Sequence, residues 1–556
     1  MPLPIQLGHS DFPGVRKEGH LYVDKTALVR EILDAPSRVS LYPRPRRFGK
    51  TINMTMLQAF LEVGPDRSAL FEGLKVWEDP EARAHFQRHP VIALSLKETK
   101  LSTWAESKRA LDILLSAEVS RHREALSDDR LAPDLRERLD AVLHRRGDNP
   151  RALRDLCQAL SEHHGQSVIV LIDEYDAGVL SAWDSGYYEE AIQYLRGFMS
   201  SALKDNPFLF RGVLTGVLRV ARESMFSDLN NLEVYSPLQK DRPEFFGFTE
   251  EEVMALLTEF GRLGEAAEVR RWYNGYHFGE ATVYNPISIM SMLAKPKEVL
   301  QGWWLNTSEN TLARTLLLEH VDLHDQIASL LTGGTLTTVV EDGVPLGELR
   351  GKNVWGLLLY AGYLTVVRSW HEGTEAFAEL TIPNIEVRGL WKSTFTRWLS
   401  DRTRGVGALP DAVLAGDAVR VEGILGEMLL RHVSPEDVGA TKDEAFYHAF
   451  VLGLLVTLEG THWVRSNRGT GLGRADVQII PRRPGLPGVV LEFKRRPRTR
   501  GKAAPPLAEG ELEALADDAL AQIQDRKYTT ELASAGASPI HKLGIAFAGL
   551  EVVVRG

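Results

Sequence analysis

The 556-residue chain lacks the features of a secreted or membrane-spanning protein. Its single cysteine, Cys157, excludes an intramolecular disulfide framework and suits a reducing environment. The longest apolar stretch, VWGLLLYAGYLTVV at 354–367, is too short to span a bilayer and is predicted to belong to a core. The N-terminus does not resemble a signal peptide, so we expect a cytoplasmic protein with no membrane partner.

Internal repeats, low-complexity tracts and the Cys/His spacings of zinc sites are also missing. Hydrophobic residues make up 44% of the sequence, and its length is too great for one core. We therefore expect two or three domains, each able to bury a core of its own.

A phosphate-binding loop is predicted at residues 44–51. The sequence RPRRFGKT follows the apolar run VSLY and opens a helical stretch, which is the strand-loop-GKT-helix context that such a loop needs. Backbone N–H groups would hold the phosphates of ATP, with Lys50 reaching the terminal ones and Thr51 holding Mg²⁺. Arg44 stands where the usual pattern has its first glycine, so a side chain is expected in a tight turn and hydrolysis is less well supported than binding. The predicted nucleotide-binding residues of the loop are Arg46, Arg47, Phe48, Gly49, Lys50 and Thr51.

Two further apolar runs end in polar residues that suit the same site. VIVLIDE at 168–174 predicts a buried strand that ends in Asp173, a metal-associated acid, and Glu174, a catalytic acid that activates water. An ordinary solvated turn is the alternative. FLFRGVLTG ends near Thr215, a candidate polar sensor, and Arg222 follows as a candidate phosphate-sensing cation. Strands near 38–43, 91–96, 168–172, 208–215 and 233–237 predict a five-stranded α/β core.

The C-terminal region contains a predicted β-hairpin with two acids and a lysine. RADVQII and VVLEFK flank the turn PRRPGLPG, centred near Pro484. A symmetric hairpin sets Asp476 opposite Glu492, with side chains roughly 5 Å apart. Alternation puts Lys494 on the face of Glu492. Two carboxylates at that distance can share Mg²⁺ or Mn²⁺, while the ammonium stabilises charge on a phosphate. A surface hairpin with solvated charges is the alternative.

The D…E-x-K pattern, with its neighbouring helices and strands in the order αβββαβ, resembles the PD-(D/E)XK nuclease superfamily. That resemblance implies catalytic Asp476, Glu492 and Lys494, with both acids as metal ligands. It also suggests Glu444 as a further metal-binding acid, although TKDE at 441–444 is equally a helix capping box. Gln522 and Tyr528 resemble polar residues of related nucleases, or they form the exposed face of a helix.

Cations cluster beside this hairpin although the net charge is −10. Such cations favour a nucleic-acid partner, although a charged run is often only a solvated loop. The cations are Arg482, Arg483, Lys494, Arg495, Arg496, Arg498, Arg500 and Lys502.

Motifs along nearly the whole chain resemble bacterial AAA-ATPase-like proteins fused to a PD-(D/E)XK nuclease domain. In that family the RPRRFGK form of the loop is usual. The resemblance implies an ATPase-like module coupled to a nuclease-like one. The motifs are YVDKT, RPRRFGKT, IDEYDAG, TGVLRVARESMFSDLNNL, WYNGYHFG, VYNP, NTSEN, AGYLT, IPNIEVR and GRAD…EFK.

We therefore predict an α/β protein with a P-loop NTPase core at 1–240, a mainly helical middle region at 241–435 and a restriction-endonuclease-like αβββαβ domain at 436–556. The favoured function is a nucleotide-regulated, metal-dependent nuclease acting on DNA in preference to RNA. A signalling NTPase with a non-cleaving, nucleic-acid-binding C-terminal domain is the alternative, and a non-catalytic interaction protein is a third.

Overall fold

The computed structural model describes residues 2–147, 149–218, 229, 231–238, 243–295, 298–304, 324–331, 333–340, 354–373, 375–402, 408–432, 451, 455, 458, 460–470, 473–496, 507–526 and 528–556. The chain divides into two compact units, each treated by itself. The first is Met1–Ser308 with Thr337–Glu386, and the second is Glu309–Leu336 with Val387–Gly556. The boundaries predicted at residues 240 and 435 stay predictions.

The first unit contains the predicted five-stranded parallel sheet. Its strands are β1 (Val39–Pro43), β2 (Val91–Ser95), β3 (Val168–Asp173), β4 (Leu209–Gly216) and β5 (Leu232–Val234), in the order β2-β3-β4-β1-β5. Every residue of β1 and β3 is buried, as expected of apolar runs covered by helices on both faces. Because β4 lies between β1 and β3, the segments that follow these three strands meet at one edge of the sheet.

Helices account for most of the regular secondary structure outside this sheet. In chain order they are α1 (Phe12–Lys17), α2 (Leu28–Asp34), α3 (Lys50–Leu61), α4 (Lys75–Glu78), α5 (Pro80–Ala84), α6 (Trp104–Arg121), α7 (Arg123–Leu126), α8 (Pro133–Leu143), α9 (Ala152–His164), α10 (Ala177–Ser185), α11 (Tyr188–Leu203), α12 (Glu250–Glu259), α13 (Ala266–Tyr273), α14 (Pro286–Ala294), α15 (His324–Leu331), α16 (Val354–Tyr360), α17 (Ile385–Arg402), α18 (Ala408–Leu414), α19 (Ala418–His432), α20 (Glu511–Asp525) and α21 (Thr530–Ser534). Every residue of α16, at the start of the long apolar stretch, is buried, which confirms its place in a core.

The middle of the chain is mainly helical, as predicted, but it also contains strands that the sequence analysis missed. β6 (Tyr276–Phe278) and β7 (Ala281–Val283) form a short hairpin. β8 (Leu336–Val339), β9 (Thr365–Glu372) and β10 (Glu375–Thr381) form a three-stranded sheet. β6 and β7, of three residues each, are too short to show alternation, and β9 is mostly exposed after its first two residues.

The second unit contains a five-stranded mixed sheet whose strands follow chain order. They are β11 (His462–Thr470), β12 (Gly473–Pro481), β13 (Gly488–Arg495), β14 (Ile540–Ala548) and β15 (Glu551–Arg555). β12 pairs antiparallel with β13, whereas β13 pairs parallel with β14, and the connection between β13 and β14 contains α20 and α21. The predicted three strands, helix and strand are confirmed, while α21 and β15 were not predicted. The first helix of the predicted order αβββαβ precedes β11, in a part of the chain that lies almost wholly outside the described residues.

None of the helices in the described part of the chain combines the length and the hydropathy that a membrane crossing requires.

Candidate functional site

The predicted phosphate-binding loop connects β1 to α3. Arg47 and Gly49 have φ of 71° and 82°, so the loop contains two left-handed residues. Lys50 opens the helix with 7% of its surface exposed. Its Nζ donates hydrogen bonds to the carbonyl oxygens of Arg44 and Pro45, both at 2.9 Å. Burial lowers the pKa of Lys50, and three nearby acids act in the opposite direction. The ammonium therefore has carbonyl partners inside the loop itself.

The side chain of Arg44 is buried away from the tight turn, which corrects the expectation from the sequence. Its guanidinium lies over the rings of Phe246 and Phe278, 5.5 and 5.0 Å from the ring centroids. It donates hydrogen bonds to the carbonyl oxygens of Pro43, at 2.9 Å, and Tyr235. Burial lowers the pKa of Arg44 to about 10. The side chain of Arg44 therefore anchors the loop through contacts with residues that lie outside it.

The side chains of the other predicted loop residues differ in their exposure to solvent. The ring of Phe48 contacts Tyr276 and Phe278 at centroid distances of 5.0 and 5.4 Å and is 1% exposed. Its backbone, but not its side chain, can therefore contact a phosphate. Arg46 is half-buried and Arg47 is exposed, so a ligand can reach both cations.

Asp173, at the end of β3, joins the loop to the neighbouring strand. Its Oδ2 accepts a hydrogen bond from Thr51 Oγ1 at 2.6 Å, and its Oδ1 accepts one from Thr215 Oγ1 at the end of β4. Glu174 follows with φ of 52°, and its N–H also donates to Asp173 Oδ1, at 3.0 Å. The structure thus brings Thr51, Asp173, Glu174 and Thr215 together around one carboxylate.

Asp176 is a residue of this site that the sequence analysis missed. It is 2% exposed, and its Oδ2 accepts hydrogen bonds from the N–H groups of Val217 and Leu218 at 3.0 and 2.7 Å. Burial raises the pKa of Asp176, against the effect of these hydrogen bonds. A Cβ on Gly216 would lie 2.6 Å from Asp176 Oδ1, so this approach requires glycine. The signal was present in IDEYDAG, where Asp176 lies three residues after Asp173.

In the second unit, Asp476 and Glu492 lie on adjacent strands and each accepts a hydrogen bond from the other strand. The N–H of Phe493 donates to Asp476 Oδ2 at 2.8 Å, and the N–H of Asp476 donates to Glu492 Oε2 at 3.3 Å. The regular ladder between β12 and β13 ends at the pair Val477 and Leu491, next to these two acids. Side-chain oxygens thus replace backbone carbonyls as acceptors, which brings the two carboxylates into one site.

One glutamine links the buried acid to the lysine. Gln522 of α20 donates from Nε2 to Glu492 Oε1, and its Oε1 accepts from Lys494 Nζ at 2.7 Å. Lys494 Nζ also lies 3.2 Å from Asp518 Oδ2. Glu492 is 3% exposed, and burial, followed by the charge of Asp476, raises its pKa to about 7. A cation shared by the two carboxylates would favour their charged forms and so lower the pKa of Glu492.

The remaining predicted residues have different outcomes. Tyr528 is fully buried, so its interpretation as part of an exposed helix face is wrong. Its carbonyl oxygen accepts a hydrogen bond from Gln478 Nε2 at 2.7 Å. Glu444 and Arg222 lie outside the described residues.

Family models match the two regions that contain these sites. A model described as a predicted AAA-ATPase matches residues 6–226, and a model of the PD-(D/E)XK nuclease superfamily matches residues 442–555. Residues 6–226 are thus similar to the AAA-ATPase-like family, and residues 442–555 are similar to the PD-(D/E)XK nuclease superfamily. This confirms the resemblance carried by the sequence motifs.

The chain is also similar to a curated protein and to a solved structure. A relative described as "Uncharacterized protein in vnfD 5'region", from Azotobacter chroococcum mcd 1, is 25% identical over 98% of this chain and 96% of its own length. The solved structure of the Aeropyrum pernix ORC2 protein, in ADPNP and ADP complexes, is 11% identical. It covers 71% of this chain and 96% of its own, and its TM-score of 0.25 is too low to carry a structural argument.

The donor sets of both domains fit divalent cations. In the AAA-ATPase-like domain, Thr51 and Asp173 place a hydroxyl and a carboxylate side by side at the start of α3. In the PD-(D/E)XK domain, Asp476 and Glu492 offer carboxylate oxygens in one buried site. Hard oxygen ligands of this kind are those that Mg²⁺ and Mn²⁺ prefer.

Proposed function

We propose that the protein is a nucleotide-regulated, divalent-metal-dependent nuclease that hydrolyses phosphodiester bonds, with DNA favoured over RNA. The observation that carries the proposal is the constellation on β12, β13 and α20, where Asp476, Glu492, Lys494 and Gln522 are joined by hydrogen bonds. A domain that only bound nucleic acid would not need two facing acids tied to a lysine.

Each residue of the nuclease constellation has a separate role in this proposal. Asp476 and Glu492 hold Mg²⁺ or Mn²⁺, with Glu444 as a candidate third acid. When bound, the ion supplies Lewis-acid stabilisation of charge on the scissile phosphate. Lys494 stabilises the negative charge that develops there. Gln522 orients both Lys494 and Glu492, because its amide contacts each of them.

The AAA-ATPase-like domain would bind ATP at the loop between β1 and α3. Lys50 Nζ would exchange its two carbonyl partners for the terminal phosphates, and Thr51 with Asp173 would hold Mg²⁺. In this proposal Glu174 activates water and Thr215 senses the nucleotide state. Arg46, Arg47 and Arg222 are candidate phosphate contacts.

The proposal is tested by a cleavage assay on single- and double-stranded DNA and RNA, with Mg²⁺ or Mn²⁺, with and without ATP. Asp476→Ala removes a metal ligand and Lys494→Ala removes the charge beside the phosphate. Each should lower the cleavage rate by about 100-fold or more. Without metal, Asp476→Ala should bind DNA at least as well as the wild type because a negative charge is lost. Lys494→Ala should bind slightly less well, with a shallower salt dependence.

Lys542→Ala is the matched control, because Lys542 lies on the neighbouring strand β14, opposite Val490 of β13. It should cleave at the wild-type rate. Wild-type cleavage by both Asp476→Ala and Lys494→Ala would refute the proposal. Nucleic-acid binding by the wild type without cleavage of any substrate would instead support the signalling NTPase with a non-cleaving domain.

A further inference from the structure

Three side chains with metal-binding atoms meet near the N-terminal end of the first unit. His9 precedes α1, Glu18 and His20 follow it, and one ligand atom from each lies within 4.8 Å of the others. His20 Nδ1 is 3.3 Å from Glu18 Oε2. Two ligands of a tetrahedral ion, each about 2.0–2.1 Å from the metal, are about 3.3–3.4 Å apart. This pair therefore already has the spacing of two ligands of one ion.

One of the two histidines carries an unpaired nitrogen. Nδ1 of His9 is buried and has no hydrogen-bond partner in the part of the chain that the structure describes, whereas the buried Nδ1 of His20 has the carboxylate of Glu18 as an ion-pair partner. A buried polar nitrogen without a partner is unfavourable. The Glu18 side chain is 54% exposed, so an ion is able to reach the cluster from solvent. An ordinary ion pair accounts for Glu18 and His20 but leaves His9 unexplained.

Gly14 makes room for the histidine that completes the cluster. A Cβ on Gly14 would lie 2.7 Å from Cε1 and 2.8 Å from Nε2 of His9. Any larger residue at this position of α1 would therefore displace the imidazole. The absence of a side chain at Gly14 lets the ring of His9 lie against the helix.

We propose that His9, Glu18 and His20 form a binding site for a transition-metal ion of the Zn²⁺ type. Two imidazoles and one carboxylate suit zinc and other borderline ions, with water completing the coordination. Mg²⁺ and Ca²⁺ prefer sites built from oxygen alone, as Asp476 and Glu492 are. The cluster would thus select a different class of ion from the proposed nuclease site.

Thr55 connects the segment that carries this cluster to helix α3. The N–H of Phe12 donates to Thr55 Oγ1 at 3.0 Å, and Thr55 Oγ1 donates to the carbonyl oxygen of Ser10 at 3.0 Å. Thr55 lies on α3, one turn after Thr51. An ion held by His9 and His20 would tie both ends of the segment around α1 together and so hold that segment on α3.

The test is titration of the full chain with Co²⁺, whose visible absorption reports nitrogen coordination, in excess Mg²⁺ to fill the oxygen sites. The wild type should bind one Co²⁺ at this site, and Zn²⁺ should displace it. Loss of an outer-shell partner costs about 10–100-fold in metal affinity, so His20→Ala should cost at least that much. Glu18→Gln, at an exposed position, should weaken binding without affecting folding. Gly14→Ala should weaken it by displacing the imidazole of His9, although the three ligand residues themselves are unchanged.

His144→Ala is the matched control, because His144 Nδ1 lies 3.2 Å from Asp140 Oδ1 in a similar histidine-carboxylate pair. It should retain the wild-type affinity. Asp476→Ala should also retain the signal, so this test does not depend on the nuclease proposal. Equal Co²⁺ affinity in the wild type, His20→Ala and Glu18→Gln would overturn the proposal. So would an equal loss in His144→Ala.

Discussion

At the residue scale, Arg44 replaces the glycine expected at the start of the loop without filling the turn. Its guanidinium lies over two aromatic rings and donates to two backbone carbonyls. The sequence revealed the substitution but not the direction of the side chain, because Phe246 and Phe278 are about 200 residues away along the chain. The contacts imply that Arg44 stabilises the fold.

Arg44→Gly, which restores the usual glycine, should therefore lower the free energy of unfolding, by about 2–4 kcal/mol. Arg44→Met should lower it less, because the methionine keeps part of the contact with the rings. Urea denaturation of the three proteins, with ATP affinity measured in parallel, provides the comparison. Wild-type stability in Arg44→Gly, together with tighter ATP binding, would show that the arginine obstructs the loop.

Glu386 is a buried carboxylate outside both proposed sites. It is 1% exposed, and it accepts hydrogen bonds from Ser288 Oγ and the N–H of Trp304, both at 2.7 Å. Burial raises the pKa of Glu386 to about 7 in spite of these donors. The folded state therefore holds its proton more tightly than the unfolded state does, and its contribution to stability falls as pH rises.

This loss should take place between about pH 4.3, where an unfolded glutamate titrates, and about pH 7, and amount to at most about 4 kcal/mol. Glu386→Gln does not ionise, so the variant should lose less stability than the wild type over this range. Denaturation midpoints at about pH 5 and pH 8 measure the difference between the two proteins. The same pH dependence in both would show that Glu386 does not titrate in this range.

At the element scale, the register of β12 and β13 and the position of α20 build the nuclease constellation. Pairing of Val477 with Leu491 follows from a turn centred near Pro484, so the meeting of Asp476 and Glu492 could be predicted. Gln522 could not be assigned in the same way. Its helical position suits an exposed face equally well, and only the packing of α20 brings it to Glu492 and Lys494.

Gln522→Ala should lower the cleavage rate by about 10–100-fold, because Lys494 and Glu492 lose the amide that orients them. Nucleic-acid affinity should change little, since no charge is removed. Gln524→Ala, two residues along α20 at an exposed position, is the control and should behave as the wild type. A wild-type rate in Gln522→Ala would assign the glutamine a structural role only.

At the scale of the whole molecule, an AAA-ATPase-like region and a region similar to the PD-(D/E)XK nuclease superfamily are joined in one chain. In the first unit, Arg44 and Phe48 attach the loop between β1 and α3 to Phe246, Tyr276 and Phe278 of the middle region. Nucleotide binding would draw Lys50 away from the carbonyls of the same loop. We therefore expect nucleotide state to be transmitted through the middle region.

Cleavage rate and DNA affinity should differ between ATP, ADP and no nucleotide. Glu174→Gln should bind ATP without hydrolysing it. With ATP present, it should therefore keep the cleavage rate and DNA affinity of the ATP-bound protein. Lys50→Ala should lose ATP binding and behave as nucleotide-free at every ATP concentration. Identical rates and affinities in all nucleotide states would mean that the modules are tethered but not coupled.

Local patterns determined the α/β class, the loop at 44–51 and the acidic hairpin, because alternation, apolar runs and turn residues are read from neighbouring positions. Tertiary structure alone decided which side chains complete those sites. The direction of Arg44, the hydrogen bonds of Asp176 to the residues after β4 and the bridge made by Gln522 depend on residues far away in sequence. The addition of β8 to the hairpin of β9 and β10 likewise joins segments that are far apart in the sequence.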